Sequence, residues 1–380
     1  MRIPSKAAAC LKAGLFGIVL AGAVASCGGG NDSMPMTPVA TPPVTTPTIT
    51  SAYATRTLVA DSGNGAEHLD PKLVNAWGIA FNPTGFVWVA NNGSATSTLY
   101  DGNGVPQTLV VAIPPGSAGA SNPTGIVFNS GATFQVSQNG VSGGSAFIFA
   151  SENGTLSGWS PSVNRTNAIV AVDTGASGAV YKGLATASYL GASYLYAADF
   201  RNGRIDVYDS TWKPVTLPGG SFSDPNLPAG YAPFGIQAIG GRIYVAYAQR
   251  AAGSIEETKG AGLGIVDVYD AGGALVKRLV NSGGALNAPW GMALAPASFG
   301  GASNMLLVAN FGDGRINAYN ADTGAFAGTL SRSGGAAIMI DGLWGIAFGN
   351  GVNSQPVNTL FYTAGPGEEA HGVYGRIDLQ

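Results

Sequence analysis

The sequence predicts an all-β domain, a six-bladed β-propeller of four-stranded blades. Three observations predict it. Short apolar blocks rich in Val, Ile, Leu, Tyr and Phe are divided throughout by Gly, Asn, Asp and Pro, the pattern of strands joined by tight turns. One glycine-centred segment returns six times, at Gly78, Gly125, Gly183, Gly235, Gly291 and Gly345, with gaps of 47 to 58 residues. That is the length of a blade of four strands with its loops. Finally, the sixth blade runs out of chain after its third strand, while a spare strand stands ahead of the first blade.

Taken in order, the chain begins with Arg2, Lys6 and Lys12 around the start of an apolar stretch, residues 13–25, too short to span a bilayer comfortably. "VASC", Val24–Cys27, follows and resembles the lipobox of bacterial lipoproteins. Residues 1–26 are therefore expected to be a lipoprotein signal peptide, with Cys27 lipidated. Two or three acyl chains hold a protein at a membrane where one does so only marginally. An ordinary secretory signal cut nearby is the alternative. Residues 27–51 are rich in Gly, then Pro and Thr, with few core-forming side chains, and read as a semi-extended tether. Cys10 and Cys27 are the only cysteines, so the propeller expected over 52–380 has neither a disulfide nor a thiolate metal site.

The inner strands read "NAWGIAF" from Asn75, "NPTGIVF" from Asn122, "VYKGLAT" from Val180, "APFGIQA" from Ala232, "APWGMAL" from Ala288 and "GLWGIAF" from Gly342. Second strands follow at Phe86, Thr133 ("TFQVSQN"), Tyr194, Ile243, Met305 and Thr359. Third strands such as "NGRIDVYD", Asn202–Asp209, and "DGRINAYN", Asp313–Asn320, open on Asn-Gly and Asp-Gly pairs, which favour the tight turns of hairpins. Outer strands are "QTLVVAI", "AIVAVD", "KPVTL", "ALVKRLV" and "AFAGTL". That makes five outer strands for six blades. "TRTLVA", residues 55–60, resembles them and is expected to complete the last blade, closing the ring and leaving no open edge. A parallel β-helix is the alternative, but its repeats are shorter.

The pattern P-x-G-[IM]-A, then "LLVAN" or "LYAAD", then "GRIxxY" resembles NHL-repeat propellers, most closely over Asn287–Leu330. "VNAWGIAFNPTG", "FSDPNLPAGYAPFGIQ" and "DGLWGIAFGNG" also resemble a family of secreted bacterial propellers. Some of its members carry a PEP-type C-terminal sorting signal; here the lipobox takes that place. No activity comes with that second resemblance. NHL and neighbouring propellers include binding scaffolds, calcium-dependent sugar lactonases and lyases, so the resemblance implies a fold and not a chemistry.

In a propeller, the loops that precede the inner strands and those that follow the second strands gather on one face. The residue before each aligned glycine is Trp77, Thr124, Lys182, Phe234, Trp290 or Trp344. At the second-strand ends lie Asn91, Gln138, Asn139, Asp199, Tyr247, Gln249 and Asn310. Trp77, Lys182, Phe234, Trp290, Trp344 and Tyr247 are the candidate ligand contacts, aromatic faces ringed by amides that suit a sugar or planar ligand. Packing explains the tryptophans too, each filling the space left by a neighbouring blade's glycine, with the glycine also serving close backbone approach. Asp199, Asn310 and Asn91 are the candidate metal set, with oxygen donors suited to Ca²⁺, although Asn and Asp at such sites also cap turns. His371, Glu368 and Glu369 in "GPGEEAHG" form the one local acid–base cluster and are the candidate catalytic groups, against the simpler reading of a solvated loop. "GVSGG", Gly140–Gly144, matches a nucleophile motif only formally, because no helix follows it.

Net charge of −3 and a charged fraction of 10% give no basic stripe, which excludes a nucleic-acid partner. The expected function is a monomeric cell-envelope lipoprotein, held at the outer membrane or periplasmic face by its lipid. Its propeller is expected to act as a scaffold for a glycan, small-molecule or protein ligand. The alternative is a Ca²⁺-dependent hydrolase, lactonase or lyase working at the mouth of the central channel.

Overall fold

Six small antiparallel sheets surround a central channel, and among the described residues 3₁₀ turns are the only helical pieces. The computed structural model describes residues 49–63 and 65–380. The expected signal peptide, Cys27 and most of the expected tether lie outside the described residues.

Blade 1 runs Ala76–Phe81, Val87–Asn91, Thr96–Tyr100 and Pro106–Ala112 from channel to rim. Blades 4 and 5 repeat that order from Tyr231–Ile239 and Pro289–Leu294 outwards. In blade 6, Leu343–Phe348, Leu360–Ala364 and Val373–Leu379 come from the end of the chain, and the outer strand is Tyr53–Ala60. It pairs antiparallel with Val373–Leu379, from Tyr53 opposite Leu379 to Ala60 opposite Val373. The ring therefore closes through the N-terminal strand, as expected. The packed domain begins slightly earlier than residue 52: Ile49 lies against the core between blades 5 and 6, and the Ser51 hydroxyl accepts the Gly301 N–H at 2.8 Å.

Two blades correct the sequence reading. In blade 2 the strand beside Pro123–Phe128 is Phe147–Ser151, followed by Thr155–Trp159 and Ile169–Asp173. The "TFQVSQN" segment instead forms an inserted hairpin, Gln135–Gln138 with Val141–Gly144. Its alternation is real, but only Phe134 and Val136 reach a core. Gln138 and Asn139 are therefore hairpin-tip residues, and Ser142 of the "GVSGG" motif lies in the second arm, hydrogen-bonded to Ser137 at 2.7 Å. Blade 3 has three regular strands, Tyr181–Tyr189, Ala192–Asp199 and Arg204–Asp209. Its "KPVTL" segment only touches the third strand, through Tyr208 opposite Pro214 and the Val215 N–H on the Val207 carbonyl at 2.9 Å.

Among the described residues the core divides into six inter-blade layers and one axial cluster. The alternation of each strand produces this arrangement, since successive side chains enter the layers on either side of a blade. The repeated glycines have one common role. A methyl group on Gly183, Gly291 or Gly345 would stand 2.9 Å from the Phe234 carbonyl, 2.5 Å from the Trp344 carbonyl or 2.6 Å from the Trp77 carbonyl. At Gly78 and Gly235 it would overlap the Thr124 and Trp290 carbonyls, and at Gly125 the Leu184 backbone N–H. Each glycine therefore lets its inner strand approach the backbone of the next.

Candidate functional site at the channel mouth

The Trp-Gly repeat places its large residues on the channel axis. Trp77 and Trp344 stack with centroids 3.6 Å apart, Phe311 stacks on the other contact of Trp344 at 3.8 Å, and Trp290 meets both tryptophans edge-on at 6.1 and 5.8 Å. Phe234 and Phe200 complete the cluster. This corrects the expected packing of the tryptophans. They do not fill the space beside a neighbour's glycine, because carbonyl backbone occupies it; they plug the channel instead. A side chain of this kind buries about 150–250 Å², worth roughly 4–6 kcal/mol at about 25 cal/mol/Å². Below the plug the channel narrows to a cavity of about 30 Å³ among Gly78, Gly125, Gly291, Gly345 and the neighbouring isoleucines.

Lys182, the one charge in the inner ring, lies over this plug. Its Nζ is 5.1, 5.8 and 6.0 Å from the ring centroids of Trp77, Phe200 and Phe234, a geometry attractive to a cation. The side chain is 2% exposed and its ammonium meets Glu152 at 2.9 Å, Glu256 at 3.2 Å and Glu257 at 3.8 Å. Burial alone would drive the ammonium toward its neutral form. Glu152, Glu257 and Glu256 outweigh that and hold its pKa above the ordinary lysine value. The Glu257 pKa is also raised, which for a carboxyl favours the neutral form. Burial raises its carboxyl, because a shared ammonium at 3.8 Å without a hydrogen bond compensates poorly for lost water.

A polar chain extends from this centre across the blades. The Asn92 amide donates to Glu152 at 3.0 Å, and the Asn75 amide donates to Asn92 at 3.2 Å and to Glu369 at 2.7 Å. Burial raises the Glu369 carboxyl despite Asn75 and Lys182. Asn75, Glu368 and Glu369 all have φ between 47° and 67°. A left-handed backbone costs a residue other than glycine roughly 1–2 kcal/mol, so packing and hydrogen bonds hold these loops in place. Lys259 lies 4.1 Å from the Phe311 centroid and brings the loop between Gln249 and Ile265 across the mouth.

The structure gathers Trp77, Lys182, Phe234, Trp290, Trp344 and Glu369 at this mouth. Tyr247 is elsewhere: it is buried between blades 3 and 4 with its hydroxyl 2.7 Å from that of Tyr269, a correction to its place among the ligand contacts. His371 faces Asp61 at 3.0 Å and Ser62 at 3.3 Å, apart from Glu369, and Glu368 is exposed. The proposed metal set also separates. Asp199 accepts the Val180 and Asn202 N–H groups and the Asn202 side chain, Asn91 donates to Thr96 and Thr98, and Asn310 donates to Ala285 and Asp313. Each serves its own blade. Among the described residues no three His, Cys, Asp or Glu side chains are arranged to hold a metal ion. The carboxylates that do converge surround the Lys182 ammonium.

Sequence reasoning missed Asn75, Asn92, Glu152, Glu256, Glu257, Phe200 and Phe311. The rule that loops after second strands collect on this face would have found Glu152, had Phe147–Ser151 been read as the second strand. Glu256 and Glu257 stand in the longest of those loops.

Fold and mouth together define a six-bladed β-propeller whose channel is plugged by aromatic rings beneath a charged cluster. No protein-family model matches the chain. It is 33% identical over 326 residues to uncharacterized protein R648 of Acanthamoeba polyphaga mimivirus, covering 84% of this chain and 78% of the relative. Uncharacterized protein L690 of the same virus is 32% identical over 328 residues, covering 84% of each. The chain belongs to the family of these proteins. Its link to secreted bacterial propellers rests on motifs alone. The fold is similar to two solved structures at 14% identity. A PQQ-bound aldose sugar dehydrogenase from Streptomyces coelicolor has a TM-score of 0.51, covering 88% of this chain and all of that one. The calcium-binding protein regucalcin from Agrobacterium tumefaciens has a TM-score of 0.50, covering 87% and 95%. At that identity the likeness concerns the fold.

Proposed function

We propose that this protein is a ligand-binding propeller, displayed at a bacterial cell envelope through lipidated Cys27, with its site on the rim of the plugged mouth. The observation that supports the binding reading is the excess of acceptor oxygens there. Glu152, Glu256 and Glu257 face one buried lysine, Glu369 joins them through Asn75 and Asn92, and the Glu257 Oε2 and Asn75 Oδ1 atoms are buried without a hydrogen-bond donor. A ligand rich in hydroxyl donors, such as the end of a glycan, suits the exposed part of that acceptor set. Glu256, whose side chain is 64% exposed, and Lys259 are the groups it would meet first. The anchor rests on "VASC" and the apolar stretch before it.

The test is calorimetric titration of envelope oligosaccharides into wild-type protein and into Glu256→Gln and Glu369→Gln variants, beside fractionation of Cys27→Ser. Binding weakened at least tenfold by either substitution, and release of Cys27→Ser from membranes, are the expected results. Oligosaccharide binding indifferent to both glutamates would refute the site, and unchanged membrane association would refute the anchor.

A further inference from the structure

We propose that Lys182 is a tethered counter-ion, its ammonium occupying the position that a hard divalent cation would hold at the channel mouth, so that the wild-type mouth requires no metal. The groups around the ammonium are oxygen donors from two blades, Glu152 from blade 2 and Glu256 and Glu257 from blade 4, and hydrogen bonds through Asn92 and Asn75 of blade 1 tie Glu152 to Glu369 of blade 6. Carboxylate and amide oxygens gathered from several loops are the ligand chemistry of Ca²⁺, which takes six to eight of them. An ammonium has only three N–H groups to offer. The consequence is visible at Glu257, whose side chain is 4% exposed. Its Oε2 faces the Lys182 ammonium at 3.8 Å and has no hydrogen-bond partner. The Asn75 Oδ1, on the same polar chain, is likewise buried and unpartnered.

Packing does not explain the charge. The rings of Trp77, Phe200 and Phe234 beneath Lys182 would also pack against an apolar side chain of the same length. What requires a cation is the carboxylate set, Glu257 above all, since a buried carboxylate without a counter-charge is costly. The inference is independent of whether the rim binds a ligand.

The experiment compares wild type, Glu257→Gln, Lys182→Met and Lys182→Met/Glu257→Gln by calorimetric titration with CaCl₂ and by thermal unfolding with and without Ca²⁺. Wild type is expected to show no Ca²⁺ binding sensitive to Glu257→Gln and no thermal shift. Lys182→Met is expected to be destabilised without the ion and to gain one Ca²⁺ site that raises its Tm. The double variant is expected to weaken that site at least tenfold. A wild-type Ca²⁺ site abolished by Glu257→Gln overturns the inference, as does a folded Lys182→Met that binds no ion. If Lys182→Met fails to fold even in Ca²⁺, it is also overturned, because an equivalent ion should restore the fold. Lys182→Met/Glu256→Gln, which carries less excess charge, repeats the comparison under the same criteria.

Discussion

At the residue scale, the glycine before each inner-strand hydrophobic block is the position with least freedom. A side chain on Gly291 would drive the inner strand of blade 5 off that of blade 6, since the nearest obstacle is a backbone carbonyl that no rotamer change can move. Gly291→Ala is therefore expected to cost about 1–3 kcal/mol in chemical denaturation. Gly284→Ala serves as the contrast, because nothing lies within 4 Å of its added methyl group. It should be neutral or stabilise by about 0.4–1 kcal/mol. Equal costs at the two sites would show that close approach between inner strands is not what the repeat preserves. The same residues show what was legible. Trp77, Lys182, Phe234, Trp290 and Trp344 were identified as one ring from their spacing alone. Their direction was not, because a kink in pairing between Ala76 and Ile79, repeated between Pro289 and Met292 and between Leu343 and Ile346, turns each side chain onto the axis.

At the element scale, errors came where a blade departs from its own rule. The blade 2 insertion alternates as well as any strand, and only pairing with a partner distinguishes a hairpin arm from a blade strand. Blade 4 carries a feature no repeat suggests. Asp267 on its third strand and Asp224 from the preceding loop share Arg278 of its outer strand. Burial, then the charge of Asp224, raise the Asp267 carboxyl to about 7 against the pull of Arg278. A carboxyl raised on folding binds its proton more tightly in the folded state. Its contribution is complete below the unfolded value near 4 and is lost as pH rises through about 7. Stability should therefore fall between about pH 4 and pH 7 at this site. Asp267→Asn, which mimics the protonated form, should flatten that part of the pH–stability curve measured by urea denaturation. A slope unchanged in the variant would assign it to other groups.

At the scale of the whole molecule, closure by Tyr53–Ala60 makes the two ends of the chain interdependent. That strand buries Tyr53, Leu58 and Val59 completely and covers the edge of Val373–Leu379. Deleting residues 1–60 removes Leu58 and Val59 from the core layer between blades 6 and 1 and leaves an open edge strand. The truncated chain should aggregate or lose its cooperative unfolding transition, read by gel filtration and circular dichroism; a monomer with wild-type Tm would contradict closure. The blade number, blade length and N-terminal closure were determined by the sequence itself, because alternation and turn chemistry are local and are repeated six times. The mouth was decided only by tertiary structure. Asn75, Glu152, Lys182, Glu257 and Glu369 are separated along the chain and share no motif, and they meet because five blades bring their loops to one axis. Charges so placed interact through space and not through sequence, and for that reason the composition of the cluster around Lys182 could not be read before the ring was closed.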